Sequence, residues 1–231
     1  MNTIKFSIIL GLFYSCSPVN SKAPHDIQLQ SLSTKVQHYF KEIALGSEFG
    51  HEANPKIIKW KKNIKIFILG SKPEYLLKEL KKIITEFNGL VHNIRIELSE
   101  RRTEANLLLV LGSSQEYLKI ESGASSFVKN NWGMFTVYEN KKYEIERATV
   151  FVDVIRAHSR EAQKHLLREE ITQSLGLMQD SPRYPDSIFY ESWSQTTEYS
   201  DIDKLLIQIL YHPEIRPGFR EEDLEKIWKK L

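Results

Sequence analysis

Apolar positions along the chain switch between two periods, and the switches mark the elements. From Ile27 to about Leu45 they recur at helical spacing (Leu29, Leu32, Val36, Tyr39, Phe40 and Ile43), which predicts one surface helix with a buried stripe. Gly46 is its expected C-cap, and Pro55 blocks continuation. In "KIIKWKKNIKIFILG" a short stretch precedes an alternation of Ile64, Ile66 and Ile68 with polar residues, the mark of a strand ending at Gly70. "SKPEYLLKELKKIITEFNG" returns to helical spacing, with Ser71 as cap and Asn88-Gly89 as the stop. "NIRIEL" alternates, and "ANLLLVLG" is almost wholly apolar, as in a strand covered on both faces. "SSQEYLKIESGASSFVKNN" predicts a loop with a short helical piece. "WGMFTVYENKKYEIERATVFVDV" predicts two strands about a turn at Glu139–Lys142, as a hairpin or as an edge strand beside a central one. A second long helix follows in "HSREAQKHLLREEITQSLGL", closed by Gly176, and two further helices end the chain at "DIDKLLIQILYHP" and "REEDLEKIWKK". The order predicts one α/β (α+β) domain of three layers, with a mixed, mostly parallel sheet, two long helices and extra C-terminal helices.

The first residues follow neither period. "MNTIKFSIILGLFYSC" has a lysine, then an apolar run from Phe6 to Tyr14. A bilayer span needs about 20 apolar residues, so this run has the size of a signal h-region. Cys16 is the only cysteine, which excludes an intrachain disulfide. "FYSC" resembles a bacterial lipobox, in which Cys16 is lipidated and begins the mature protein. A plain cleaved signal and an uncleaved anchor are the alternatives. Ser17 stands where aspartate would, and the likeness to Gram-negative lipoproteins then implies the outer membrane. The expected organisation is a signal peptide over 1–15, a polar tether over 16–26 and a single domain over 27–231, exported to the cell envelope and held to the membrane through Cys16. Thirty-two basic and 30 acidic residues are mixed along the chain for a net charge of +2, which points away from nucleic acid.

The candidate chemistry lies in "HLLREEITQSLGLMQD". Glu169 and Gln173, four apart, share a helix face with His165 one turn earlier. Such a stripe is either the wet side of an ordinary helix or the wall of a site. The order of elements, with this motif before Gly176, resembles the metzincin-type zinc peptidases and their HExxHxxGxxH motif. The resemblance covers roughly residues 57 to 215. It puts the three metal-ligand positions at Glu169, Gln173 and Gln179, the catalytic base at Glu170 and the motif turn at Gly176. Ser187, Ile188 and Phe189 match the tight turn under the metal, with Phe189 in place of methionine. The strings "EIALGSEFG", "IIKWKKNIKIFILG", "REEITQSLGL", "DSIFY" and "LLIQILYHPEIRPG" resemble a family of bacterial lipoproteins catalogued only as a domain of unknown function, and imply a zincin-like fold.

The substitutions alter the chemistry. Zinc takes imidazole, thiolate or carboxylate, and amide oxygens are poor ligands. Without zinc, water at about pKa 15.7 is not brought to about 7, which removes on the order of 12 kcal/mol from hydroxide formation. No metal or other cofactor is therefore expected. Calcium or magnesium on Glu169, Gln173, Gln179 and Asp180 is a weaker alternative, because so few carboxylates bind it loosely. Glu170 with Asp180, Asp186 or Glu191 is the pairing available to a metal-free hydrolase of peptides or glycans. A buried polar network drawing on Arg168, His165, Ser187 and Tyr184 is the architectural reading. Tyr190 and Trp193 are candidates for stacking on a ligand or for packing. The leading expectation is a non-catalytic envelope module that binds a peptide or protein partner along an edge strand at "MFTVY".

Overall fold

The computed structural model describes residues 27–46, 55–192, 194 and 196–229. The signal segment, the tether, Cys16 and Trp193 lie outside the described residues. Helix α1 (Thr34–Leu45) leads into strands β1 (Lys59–Trp60) and β2 (Ile64–Gly70), helix α2 (Glu74–Leu90), and strands β3 (Ile96–Leu98) and β4 (Leu107–Gly112). Then come α3 (Ser114–Leu118), β5 (Gly133–Glu139), β6 (Glu144–Asp153), α4 (Arg160–Gln173), α5 (Asp201–Leu210) and α6 (Glu221–Trp228).

The sheet is mixed and mostly parallel, as its sequence predicts. Its order is β1-β6-β4-β2-β3, all parallel, and β5 pairs antiparallel with β6. Period-two alternation decides which residues face which layer. Leu107, Leu109 and Leu111 of β4, with Ala148, Val150 and Val152 of β6, enter the main core beside residues of α2, α4 and α5. Val110 and Phe151 point the other way, into a small cluster with Tyr117, Val128 and Met134 under α3 and the segment after it. The second face is thus thinly covered, which gives the third layer.

Several boundaries differ from expectation, each for a local reason. The stretch from Ile27 to Leu45 is broken: a short 3-10 turn (Leu29–Ser31) precedes α1, and the Ser33 side chain caps α1 by accepting from Val36 N. Ser71 does not cap α2. Its hydroxyl donates to Leu111 O on the neighbouring strand, and Pro73 holds the N-cap position. Asn88-Gly89 does not stop α2, which runs to Leu90. The Asn88 amide instead bonds both N and O of Ile96, tying the last turn to β3. The turn before β6 extends to Tyr143, at φ 61°, where Asn140 Oδ1 accepts from Lys142 N and Glu144 N.

Gly176 forms the turn that follows α4. It sits at φ +115°, and a Cβ there would lie 2.1 Å from Ile58 O. The same turn is stapled by Trp60 Nε1 to Ser174 O at 2.9 Å and by Tyr211 OH to Leu175 O at 2.9 Å. Gly176→Ala is expected to lower stability by about 2–3 kcal/mol, since backbone rather than a movable side chain is in the way. Urea unfolding measures this; a loss under about 0.5 kcal/mol would show that the turn relaxes freely.

Candidate functional site

Helix α4 begins where Ser159 Oγ accepts from Ala162 N. Just upstream, the buried Asp153 carboxylate accepts from Ile155 N, Arg156 N and Arg156 Nε. The Arg156 guanidinium then donates to the carbonyls of Val128, Lys129 and Asn131. This fan fixes the loop that forms one rim of a cleft.

The expected wet side of α4 is not a solvent face. His165, Glu170 and Gln173 are buried, and with Glu169 they wall a cavity of about 520 Å³. The opposite wall is Trp132 and Gly133 at the start of β5, and the floor comes from Asp180, Tyr190 and Glu191. Gly133 is required by this approach: a Cβ there would meet Glu170 Oε1 at 2.3 Å. The absence of a side chain lets the carboxylate lie against the strand.

Each polar wall residue has a defined setting. His165 Nδ1 donates to Thr196 O at 2.8 Å, which fixes the tautomer, and Nε2 lies 3.4 Å from Glu169 Oε2. Burial pushes the imidazole below its ordinary pKa, against the Thr196 hydrogen bond that raises it. Gln173 Nε2 donates to Asp180 Oδ1 at 2.6 Å. Burial raises the Asp180 carboxyl to about 6; the Gln173 bond works against this and the Glu191 charge adds to it.

The three positions that the peptidase likeness assigns to metal do not converge. Glu169 and Gln173 face the cleft, but Gln179 does not. Its backbone N bonds Ile43 O, and its Cβ would stand 2.5 Å from a Cβ placed on Gly46, so it packs against the end of α1. Asp180, one residue later, turns inward instead. The Gln173 amide nitrogen donates to Asp180 and its oxygen is a poor zinc ligand, which leaves carboxylates and one imidazole of lowered basicity. No group of three or more His, Cys, Asp or Glu among the described residues is arranged to hold a metal ion. The donor set does not fit zinc.

Ser187, Ile188 and Phe189 form a buried turn apart from the cleft wall. Ser187 Oγ donates to Asp203 Oδ1 at 2.5 Å and lies 3.0 Å from Tyr39 OH; Ile188 N donates to Asp203 Oδ2 at 3.1 Å. Burial raises the Asp203 carboxyl, opposed by hydrogen bonds from Ser187, Ser200 and Ile188. The turn therefore ties the loop to α5 and α1. Tyr184 packs against Tyr39 at 4.6 Å, and neither it nor Ser187, which the architectural reading offered as partners, is among the residues that wall the cleft. Arg168 also turns away, to Glu79 and Glu86 of α2. Asp186 is not among the cleft residues, while Glu191 and Tyr190 are.

Sequence reasoning missed Trp132, Gly133 and the Asn130-Asn131 rim. The one available signal was a Trp-Gly pair opening an alternating run, since glycine at a strand start marks close approach by another group.

Comparison with solved structures finds myroilysin twice. One structure shares 14% identity over 67% of this chain and 82% of that one, with TM-score 0.41. Another shares 13% over 78% and 96%, with TM-score 0.42. No curated protein matches the chain. Residues 33–230 match the model described as protein of unknown function (DUF2927), and the chain belongs to that family.

Proposed function

We propose that this protein is a recognition module of the cell envelope, exported and lipidated at Cys16, built on a zincin-like scaffold that has lost its zinc chemistry. Its cleft holds an extended peptide or partner segment laid along β5 by strand addition. One observation carries this reading: β5 pairs only with β6 among the described residues, and the cleft opens beside its first residue with no zinc donor set behind it. The unused strand edge supplies main-chain hydrogen bonds, and the cleft supplies side-chain selection.

A second reading has one observation in its favour. Glu170 is buried against Gly133, and Asp180, on the same cleft, has its pKa raised to about 6. Two carboxyls on one cleft suit a metal-independent hydrolase with Glu170 as base. Glu170→Gln separates the two. In the recognition reading the variant binds peptide within about tenfold of the parent, a loss of up to about 1.4 kcal/mol, and neither protein cleaves peptide or peptidoglycan. In the hydrolase reading the parent turns substrate over and the variant does not. Stoichiometric zinc in purified protein, by elemental analysis, would overturn both.

A further inference from the structure

The thinly covered face of the sheet, under α3, holds a polar group that neither reading of the cleft uses. Every second residue of β5 and β6 points to that face, where Thr136 stands opposite Thr149 and Tyr138 opposite Arg147. The segment after α3 crosses over them and carries Glu121, which is 8% exposed. Thr149 Oγ1 donates to Glu121 Oε1 at 2.6 Å, and Tyr138 OH donates to Glu121 Oε2. Both carboxyl oxygens therefore act as acceptors, and β5 and β6 fix the group between them.

Among the described residues those two hydroxyls are its partners, and it makes no ion pair with lysine, arginine or histidine. The Arg147 guanidinium lies instead over the Tyr138 ring, 3.8 Å from its centre. A carboxylate offers about four lone-pair sites, and the hydroxyls fill two of them. Burying such a group without a cation is costly, and neutral donors offset that only in part. Glu121 also borders a cavity of about 430 Å³, within the range of small-molecule clefts, about 300–1,000 Å³. Met134 on its wall is buried, while Phe127 and Tyr138 on the same wall are exposed, so the cavity runs inward from the surface. No lysine, arginine or histidine lines it.

We infer that this cavity binds a small organic amine, with its ammonium on Glu121 and its apolar body against Phe127, Met134 and Tyr138. The ammonium brings the absent positive charge together with N–H donors for the remaining lone pairs. The two aromatic rings attract a cation within about 6 Å, and the apolar body covers surface otherwise left in water. An anion is repelled by Glu121. A bare metal ion is poorly served, since no group of three or more His, Cys, Asp or Glu among the described residues is arranged to hold one. The site is separate from the cleft: Met134 belongs to the cluster under α3, whereas Phe135 and Val137 pack on the main core beside α4. It stands independently of peptide recognition along β5.

Phenethylamine, cyclohexylmethylamine and isopentylamine, each beside the matching alcohol, are titrated into the full protein and followed by NMR. The expected result is that at least one amine binds with Kd below about 1 mM and at least about tenfold tighter than its alcohol. Intermolecular NOEs are expected from the bound amine to the ring protons of Phe127 or Tyr138. Glu121→Gln, nearly the same in shape, is expected to bring the amine down to the affinity of the alcohol. Phe127→Ala is expected to weaken both by a similar factor. Should Glu121→Gln fail to fold, the NOEs and the amine–alcohol difference in the parent decide by themselves. The inference is overturned if no amine binds tighter than about 1 mM, or if amine and alcohol bind alike. It is equally overturned if the NOEs run to Trp132 and Tyr190 of the cleft, or if Glu121→Gln keeps the amine preference.

Discussion

Replacing Arg168 with methionine is expected to lower the unfolding free energy by about 3–5 kcal/mol. The guanidinium is fully buried, donates to Glu79 Oε1 at 2.5 Å from its Nη2, and pairs with Glu86. Its carbon lies 4.4 Å from the Tyr199 ring centre, and Tyr199 OH lies 2.7 Å from Thr172 Oγ1 one turn along α4. Removing the cation leaves the Glu79 carboxylate buried without its partner, and that desolvated charge is the main loss. The double variant Arg168→Met, Glu79→Leu removes the stranded charge with the cation. It is expected to recover most of the loss, because replacing both members of a buried pair is often near neutral. Chemical unfolding of the parent, both single variants and the double variant closes the cycle. A loss below about 1 kcal/mol for Arg168→Met would mean that α4 does not depend on this clamp. The consequence reaches the cleft, since the same helix carries His165, Glu169, Glu170 and Gln173 on its other side.

The second large effect is a pH dependence set by Lys59. Its side chain is 1% exposed, and Nζ donates to Leu210 O at 2.6 Å and Ile215 O at 2.5 Å. Two carbonyls take two donors, the number a neutral amine supplies, and no carboxylate pairs with it among the described residues. Burial, with a smaller contribution from Lys61, lowers its pKa to about 7 from 10.5. The folded state therefore binds this proton more weakly than the unfolded chain. Between about pH 7 and 10.5 the unfolded state carries the extra proton, so stability rises with pH by up to about 1.4 kcal/mol per unit. The contribution is complete above 10.5 and is lost as pH falls toward 7. Lys59→Met abolishes that slope and leaves the two carbonyls without their donor, so the variant is expected to trail the parent by about 3 kcal/mol at pH 9, and by less at pH 7. Urea denaturation of both proteins at several pH values gives the difference; parallel curves would show that Lys59 folds in its charged form. The group matters for architecture because Leu210 ends α5, and Tyr211, beside it, staples the turn after α4.

These two side chains show where sequence reading reaches its limit. Lys59 sits in "KIIKWKKNIK", where no local pattern marks one lysine for burial, and its burial comes from the α5 end packing over β1. Arg168 looked like a partner for Glu169 and Glu170, its neighbours in sequence. A helix separates adjacent side chains by about 100°, and α2 supplies acids on the side where Arg168 points.

By itself the sequence determined the order of strands and helices and the polar stripe His165, Glu169, Gln173. Each rests on local periodicity, which depends on side-chain burial one residue at a time and survives without knowledge of partners. It also determined that Glu169, Gln173 and Gln179 offer no imidazole. Tertiary structure alone decided that the stripe walls a cleft, that Asp180 rather than Gln179 turns into it, and that Gly133 brings β5 against Glu170. The reason is that these depend on how the chain after Gly176 meets α1 and how the loop held by Arg156 meets α4. Such contacts join residues distant in sequence, and no local period encodes them.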